Sequence, residues 1–432
     1  MNILRYPPRT AWQELAERPV INTQDLERLV LPILQAVRER GDAALYDYAE
    51  RFDKVSAAML STLVVRPEEF DAAKQSVPES LKAALQLAKE NIERFHILQR
   101  EVPSIVETRP GVRCWRKSVP IERVGLYIPG GTAPLFSTVL MLGVPAQIAG
   151  CPVRILCSPP NSEGNIHPAI LYAAELVGIQ HVCKVGGAQA IAAMAFGTAS
   201  VPQVDKIFGP GNQYVTAAKQ LVQRGVFGSV VAIDMPAGPS EVCVLADESC
   251  EPAFVAADLL SQAEHGVDSQ VVLVTTSEQV VERVQHELNN QITALPRRAI
   301  AEQALCNSRI ILLHSVDEAV AFVNLYAAEH LIISAHNAEH IAERITQAGS
   351  VFIGNFSPES AGDYASGTNH TLPTNGYARA HSGVSVDSFV KKITFQHLSR
   401  EGLQQIGAAV EVMAEHEQLH AHKHAVAVRL QA

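Results

Sequence analysis

Sixteen histidines stand in this 432-residue chain. Imidazole titrates near neutrality and ligates metals, so such a surplus can mark acid–base or metal chemistry. The sharpest local pattern is His416-Glu417-Gln418-Leu419-His420, an H-E-x-x-H. On a helix it sets two imidazoles one turn apart beside a carboxylate, as in zinc hydrolases. A third ligand normally follows downstream, but few residues remain, and the extended form needs Gly where Lys423 stands. A zinc hydrolase built on His416 and His420 is therefore an alternative reading that lacks its usual partners.

Other residues offer chemistry at less distinctive spacing. Gln262 and His265 stand three apart near a helix end, so both can face one ion. Asp363 and His370 fall in a polar segment, and His416, His420, His422 and His424 crowd the tail. On a continuous helix 416, 420 and 424 would share a face, with His422 pointing elsewhere. Glu329-His330 sit where a helix hands over to a strand, and adjacent carboxylate and imidazole can divide base duties. Glu-His also occurs at 264–265, 339–340 and 415–416, so the dipeptide alone says little. Cys114, flanked by Arg113 and Arg116, and Cys151, between Gly150 and Pro152, are the candidate thiol nucleophiles. Structural roles suit both better.

These residues need elements to hold them. Asn22 is a plausible cap for a helix on which Leu26, Val30, Ile33 and Val37 recur, and Leu81, Leu85, Ala88 and Ile92 mark a second helix. From Val124 onward strand and helix patterns alternate in two series, which predicts parallel, doubly wound sheets in two α/β lobes. Gly130-Gly131, Gly186-Gly187 and Gly209–Gly211 each fall between a strand and a helix, where backbone N–H groups can approach a phosphate. Each is also ordinary βα-turn chemistry, and none completes a dinucleotide fingerprint. The segment from Gly354 to Gly383 is loop-rich, and Leu403 to Leu430 reads as a helical tail.

Composition narrows the setting. A formal charge of −10 supplies no basic face for a nucleic-acid backbone. Seven cysteines make no disulfide framework. The most apolar stretch, 133–150, is interrupted by Ser137, Thr138, Pro145 and Gln147, so no membrane span is expected. The first 19 residues lack the apolar core of a secretory signal, which leaves a reducing cytoplasm as the expectation.

Several long blocks, taken together, resemble histidinol dehydrogenases. They are Val124–Gly131, Phe208–Asn212, Ile233–Glu241, Asp258–Gly266, Tyr326–Leu331 and Ser366–Thr374, in the family's order and spread over nearly the whole chain. The resemblance implies two incomplete Rossmann-like lobes, similar to aldehyde dehydrogenases, with small N- and C-terminal arms exchanged in a cytoplasmic homodimer. It implies an N-terminal arm at 1–22, a discontinuous catalytic lobe at 23–126 and 238–380, an NAD-binding lobe at 127–237 and a helical arm at 381–432. It implies oxidation of L-histidinol through L-histidinaldehyde to L-histidine, with two NAD⁺ and one Zn²⁺. The family's zinc ligands fall on Gln262, His265, Asp363 and, from the partner chain, His422. Its base falls on His330 and its water activator on Glu329. Ser240, His370 and Glu417 match further substrate-contacting positions, and Tyr127, Gln189 and Asn212 match NAD contacts. H-E-x-x-H then becomes a decoy, its Glu a substrate contact and its two His not ligands.

Overall fold

The structure, a computed structural model, describes residues 1–18, 23–130, 134–236 and 238–431. Asn22, Gly131 and Ala237 lie outside these residues. In chain order, β1 (Asn2–Arg5), β2 (Ile105–Arg109) and β3 (Val112–Pro120) precede the first βα series. That series is β4 (Arg123–Tyr127), β5 (Val153–Ser158), β6 (His181–Lys184), β7 (Lys206–Phe208) and β8 (Ala232–Ile233). The second is β9 (Glu241–Ala246), β10 (Gln270–Thr275), β11 (Arg309–Leu312), β12 (His330–Ser334) and β13 (Ser350–Ile353), after which comes β14 (Val390–Leu398).

Each series forms one parallel sheet. The first has the order β6-β5-β4-β7-β8; the second has β11-β10-β9-β12-β13, with β1 added beside β11. Counted within its own series, each reads 3-2-1-4-5, the Rossmann order without its sixth strand. The expected α/β class with two incomplete Rossmann-like lobes is what forms.

Helices cover both faces of each sheet, so the strands read as unbroken apolar runs instead of alternations. In the first lobe Ile155, Cys157 and Cys183 share a core with helices Gly187–Phe196, Gln213–Gln223 and Thr23–Arg40. Val124, Leu126 and Phe208 share the other with Phe136–Ala149, Pro168–Leu176 and Glu79–Ile97. In the second lobe Val242, Val244 and Leu273 pack with Pro252–Ala263 and Glu278–Gln291, while Cys243, Leu245 and Ile333 pack with Val316–Tyr326.

The structure corrects parts of the expected organisation. Residues 23–97 do not pack chiefly with 238–380, which they meet through Asn91, whose amide donates to the Ala365 carbonyl at 2.8 Å. The apolar faces of Thr23–Arg40 and Glu79–Ile97 find their partners on the first lobe, and a boundary at 126–127 would cut β4. Residues 2–5 are not a free arm, because β1 pairs in register with β11, Ile3 opposite Ile310. The segment 381–432 is not wholly helical either. β14 runs antiparallel along β3 in a three-stranded sheet, and the rings of Trp115 and Phe395 stack at 5.4 Å. The tail itself is two helices, Arg400–His416 and His420–Gln431, packed against each other. Between them Gln418 takes φ +60°, so H-E-x-x-H straddles a chain reversal instead of lying on one helix.

One turn ties the first lobe's strands together. A Cβ on Gly209, at φ +127°, would stand 2.1 Å from the Tyr127 carbonyl oxygen. Asp234 accepts the Gly209 N–H at 2.8 Å, and the buried Lys219 ammonium donates to the Gly209 carbonyl and to Asp234. Gly209→Ala should therefore cost about 2 kcal/mol or more. A depressed thermal unfolding midpoint is the expected result, and an unchanged midpoint would contradict this packing.

Candidate active site

In an open parallel sheet a crevice forms outside the carboxyl ends of the strands where the winding reverses. In the first lobe that point lies between β4 and β7. A cavity of about 930 Å³ opens there, lined by Tyr127, Gly187, Gln189 and Asn212 among others. All three expected NAD contacts thus meet at one cavity. Tyr127 Oη accepts the Gly187 N–H at 3.0 Å, and Asn212 Oδ1 accepts the N–H groups of Tyr214 and Val215, each at 3.1 Å. Both side chains therefore organise helix N-termini at the cavity wall, where a phosphate is favoured. Cβ atoms on Gly130 and Gly186 would fall 2.2 and 2.4 Å from the Pro159 ring, so both glycines are needed for the chain to close up there. Arg28, Arg51 and Asp53 also line the cavity, and burial pushes the Asp53 carboxyl up to about 6. Nothing in their spacing marks them; the docking of Thr23–Arg40 on this lobe brings them in.

The second cluster gathers at the opposite, amino ends of the second sheet. Ser240 precedes β9 and Glu241 opens it; Glu329 precedes β12 and His330 opens it; Gln262 and His265 lie at the end of helix Pro252–Ala263. Glu329 and His330 are both buried. The Glu241 backbone N–H donates to Glu329 Oε2 at 2.9 Å, and the Glu329 N–H donates back to Glu241 Oε1 at 3.2 Å. His330 Nδ1 stands 3.3 Å from the Glu241 carbonyl oxygen, which accepts from Nδ1–H and leaves the lone pair of the neutral ring on Nε2. That Nε2 is buried, lacks a hydrogen-bond partner among the described residues and lies 3.4 Å from Asp363 Oδ1.

Electrostatics follow from this crowding. Burial pushes the Glu329 carboxyl up to about 8. Burial opposes charge on His330 as well, but Glu329 and Asp363 outweigh it and raise the imidazole to about 10. Asp363 is held below its usual range despite burial, because the His330 imidazole 3.4 Å away favours its charged form. Glu359, which spacing did not single out, is buried nearby: Ser261 donates to its Oε1 at 2.8 Å, its Oε2 has no partner among the described residues, and burial raises it to about 7.

Gln262 shows most directly that something is to be bound. Its side chain is 1% exposed, yet neither amide atom has a hydrogen-bond partner among the described residues. An unsatisfied buried amide is costly, so its persistence marks a ligand position. His265 lies exposed at the rim, where surrounding protein still lowers its pKa by desolvation, and Asp363 is half-buried. Amide, imidazole and carboxylate are donors that suit Zn²⁺. Among the described residues no three His, Cys, Asp or Glu side chains close on one metal position. Within that chain Glu417 and His422 are exposed on the tail hairpin and Ser240 is half-buried.

His370 joins the two lobes. Its Nδ1 lies 2.9 Å from the Asp363 carbonyl and its Nε2 lies 3.1 Å from the Thr138 hydroxyl of the first lobe. Beside it Asn369 donates to the Met141 carbonyl at 2.6 Å. The thiols stand apart from this chemistry. Cys151 is buried, which raises it to about 11 and disfavours a thiolate, and Cys114 lies on β3 of the antiparallel sheet.

A histidinol dehydrogenase family profile matches residues 16–430. The chain belongs to the histidinol dehydrogenase family. It is 60% identical over 430 residues to histidinol dehydrogenase of Bacteroides thetaiotaomicron, covering 100% of this chain and 99% of the relative. With that of Escherichia coli K12 it shares 52% identity over 421 residues, covering 97% and 95%. The crystal structure of histidinol dehydrogenase from Elizabethkingia anophelis matches with a TM-score of 0.96 at 56% identity, covering 100% of this chain and 98% of that one. No described helix is long and apolar enough to cross a membrane.

Gln262→Leu separates a ligand role from a packing role. Removing two unpaired polar atoms should leave the metal-free protein at least as stable, while the stabilisation given by added Zn²⁺ is lost. Thermal unfolding with and without the ion reads both. A clear fall in metal-free stability would show that the amide is satisfied by the protein itself.

Proposed function

We propose that this chain oxidises L-histidinol through L-histidinaldehyde to L-histidine, using two NAD⁺ and one Zn²⁺ per subunit, as the closing steps of histidine biosynthesis in the cytoplasm. The observation that carries the reading is the buried Nε2 of His330, which has no hydrogen-bond partner among the described residues and lies 3.4 Å from Asp363 Oδ1, on a ring whose Nδ1 stands 3.7 Å from Glu329 Oε2. Family membership supplies the substrate.

NAD⁺, seated in the cavity bounded by Tyr127, Gln189 and Asn212, would accept hydride, and Zn²⁺, held by Gln262, His265, Asp363 and His422 of the partner subunit, would position the substrate's imidazole and amino group. Once its own proton is lost, which becomes easier as pH rises toward about 10, His330 Nε2 takes the alcohol proton as hydride leaves the carbinol carbon. In its ionised form, which gains population as pH rises through about 8, Glu329 removes a proton from the water that adds to the aldehyde, and His330 then serves the second oxidation. Ser240, His370 and the partner subunit's Glu417 contact the substrate. His370 does so with both ring nitrogens already engaged, so its part is to shape and hold the pocket. Neither Cys114 nor Cys151 carries a step.

The active sites are shared in a homodimer. Met413, Leu419 and Val428 on the tail hairpin, with Ile393 and Phe395 on β14, leave apolar surface exposed that a second subunit would cover. The zinc hydrolase alternative loses its ground, because His416 ends one helix and His420 begins the next.

The enzyme should form two NADH per L-histidinol, lose this activity to a chelator and regain it with Zn²⁺. Turnover unaffected by metal removal would overturn the metal assignment. Mixing His422→Ala with His265→Ala subunits should restore activity through hybrid dimers that hold one intact site. No recovery after verified subunit exchange would contradict a ligand donated in trans.

A further inference from the structure

Arg18 lies far from the catalytic pair in sequence, in the short segment that follows helix Trp12–Leu15, yet its side chain is almost fully buried. Its Nε donates to Glu241 Oε2 at 2.7 Å and one terminal nitrogen donates to Glu241 Oε1 at 2.9 Å, a two-pronged ion pair. That same nitrogen donates to the Tyr326 carbonyl at 2.6 Å, and the guanidinium lies 3.7 Å over the Tyr326 ring. Tyr326 ends the helix Val316–Tyr326, and the next residue, Ala327, takes φ +54°, a conformation alanine rarely adopts. The chain then reaches Glu329 and His330. Arg18 thus grips both the turn before the pair and the carboxylate beside it.

Glu241 passes this grip on through three contacts. Its carboxylate accepts the Glu329 N–H, its own N–H donates to the Glu329 carboxylate, and its carbonyl faces His330 Nδ1. The last of these selects which ring nitrogen is left as the base. We propose that Arg18 is a positioning residue for the catalytic pair, acting through Glu241 and the Tyr326–Ala327 turn. The inference rests on Glu329 and His330 having the roles assigned above. Lysine cannot replace the fork, because one ammonium cannot span both carboxylate oxygens and lie flat on the Tyr326 ring while bonding its carbonyl.

The test uses the Zn²⁺-loaded dimer. Arg18→Lys should lower kcat for both oxidations by about tenfold to a hundredfold, the scale of an ångström-sized misplacement, with KM for L-histidinol and zinc content unchanged. In a Glu329→Gln background, Arg18→Lys should cost markedly less in aldehyde oxidation than it costs alone. Wild-type kcat per zinc-loaded Arg18→Lys subunit overturns the proposal, and so does an equal cost in both backgrounds. Glu241→Gln, which keeps the shape and the main-chain contacts, gives the same reading if Arg18→Lys does not fold. If neither folds while Glu329→Gln does, the pair is a structural clamp and the proposal fails. Glu329→Gln and His330→Asn at wild-type activity would instead sink the catalytic roles on which it rests.

Discussion

A carboxylate and an imidazole held side by side out of water are the costly feature around which this chain is arranged. Neither Glu329 nor His330 can exchange its hydrogen bonds for water, so each needs fixed partners. Glu241 supplies them from one position at the start of β9, through its carboxylate, amide and carbonyl. It can do so because β9 and β12 are adjacent parallel strands that begin within one residue of each other, His330 opposite Val242. The buried Arg18 in turn balances the charge on Glu241.

The two lobes share one winding but use it differently. The first opens its cavity at the carboxyl ends of β4 and β7, where a parallel sheet ordinarily takes a nucleotide. The second gathers its reactive residues at the amino ends of β9 and β12. The loop carrying Asn369 and His370 spans the gap, bonded to Met141 and Thr138 on the helix that follows the Gly130 turn. Hydride chemistry needs a cofactor crevice and an acid–base group on two sides of one substrate, and the function we propose assigns these to opposed ends of two similar lobes.

Much of this was legible in the sequence. Both βα series, the three glycine turns and most helix bounds follow from apolar runs broken by Gly and Pro, because strands covered on both faces have no choice but to be apolar. The long blocks supplied the proposed site residues, Asn212 among them, by family likeness. Other features depend on packing at a distance. Glu241–Ala246 follows a Pro- and Gly-rich segment and takes its identity as the central strand from neighbours on both sides. Arg18, Arg28, Arg51 and Asp53 acquire their surroundings only when the N-terminal helices dock. Spacing also misleads in the tail. A helical reading put His416, His420 and His424 on one face, but Gln418 reverses the chain between the first two.

That reversal leaves the conspicuous histidines at an exposed hairpin, while the ligands we propose from this chain are Gln262, His265 and Asp363. We propose that the metal belongs to the second place, closed by another subunit. Anomalous diffraction at the zinc edge from crystals of the metal-loaded protein would test it most directly. The expected map has its peak within bonding distance of Gln262, His265 and Asp363, with His422 of the partner subunit as a further ligand. A peak at His416 and His420, with none beside Gln262, would contradict the account.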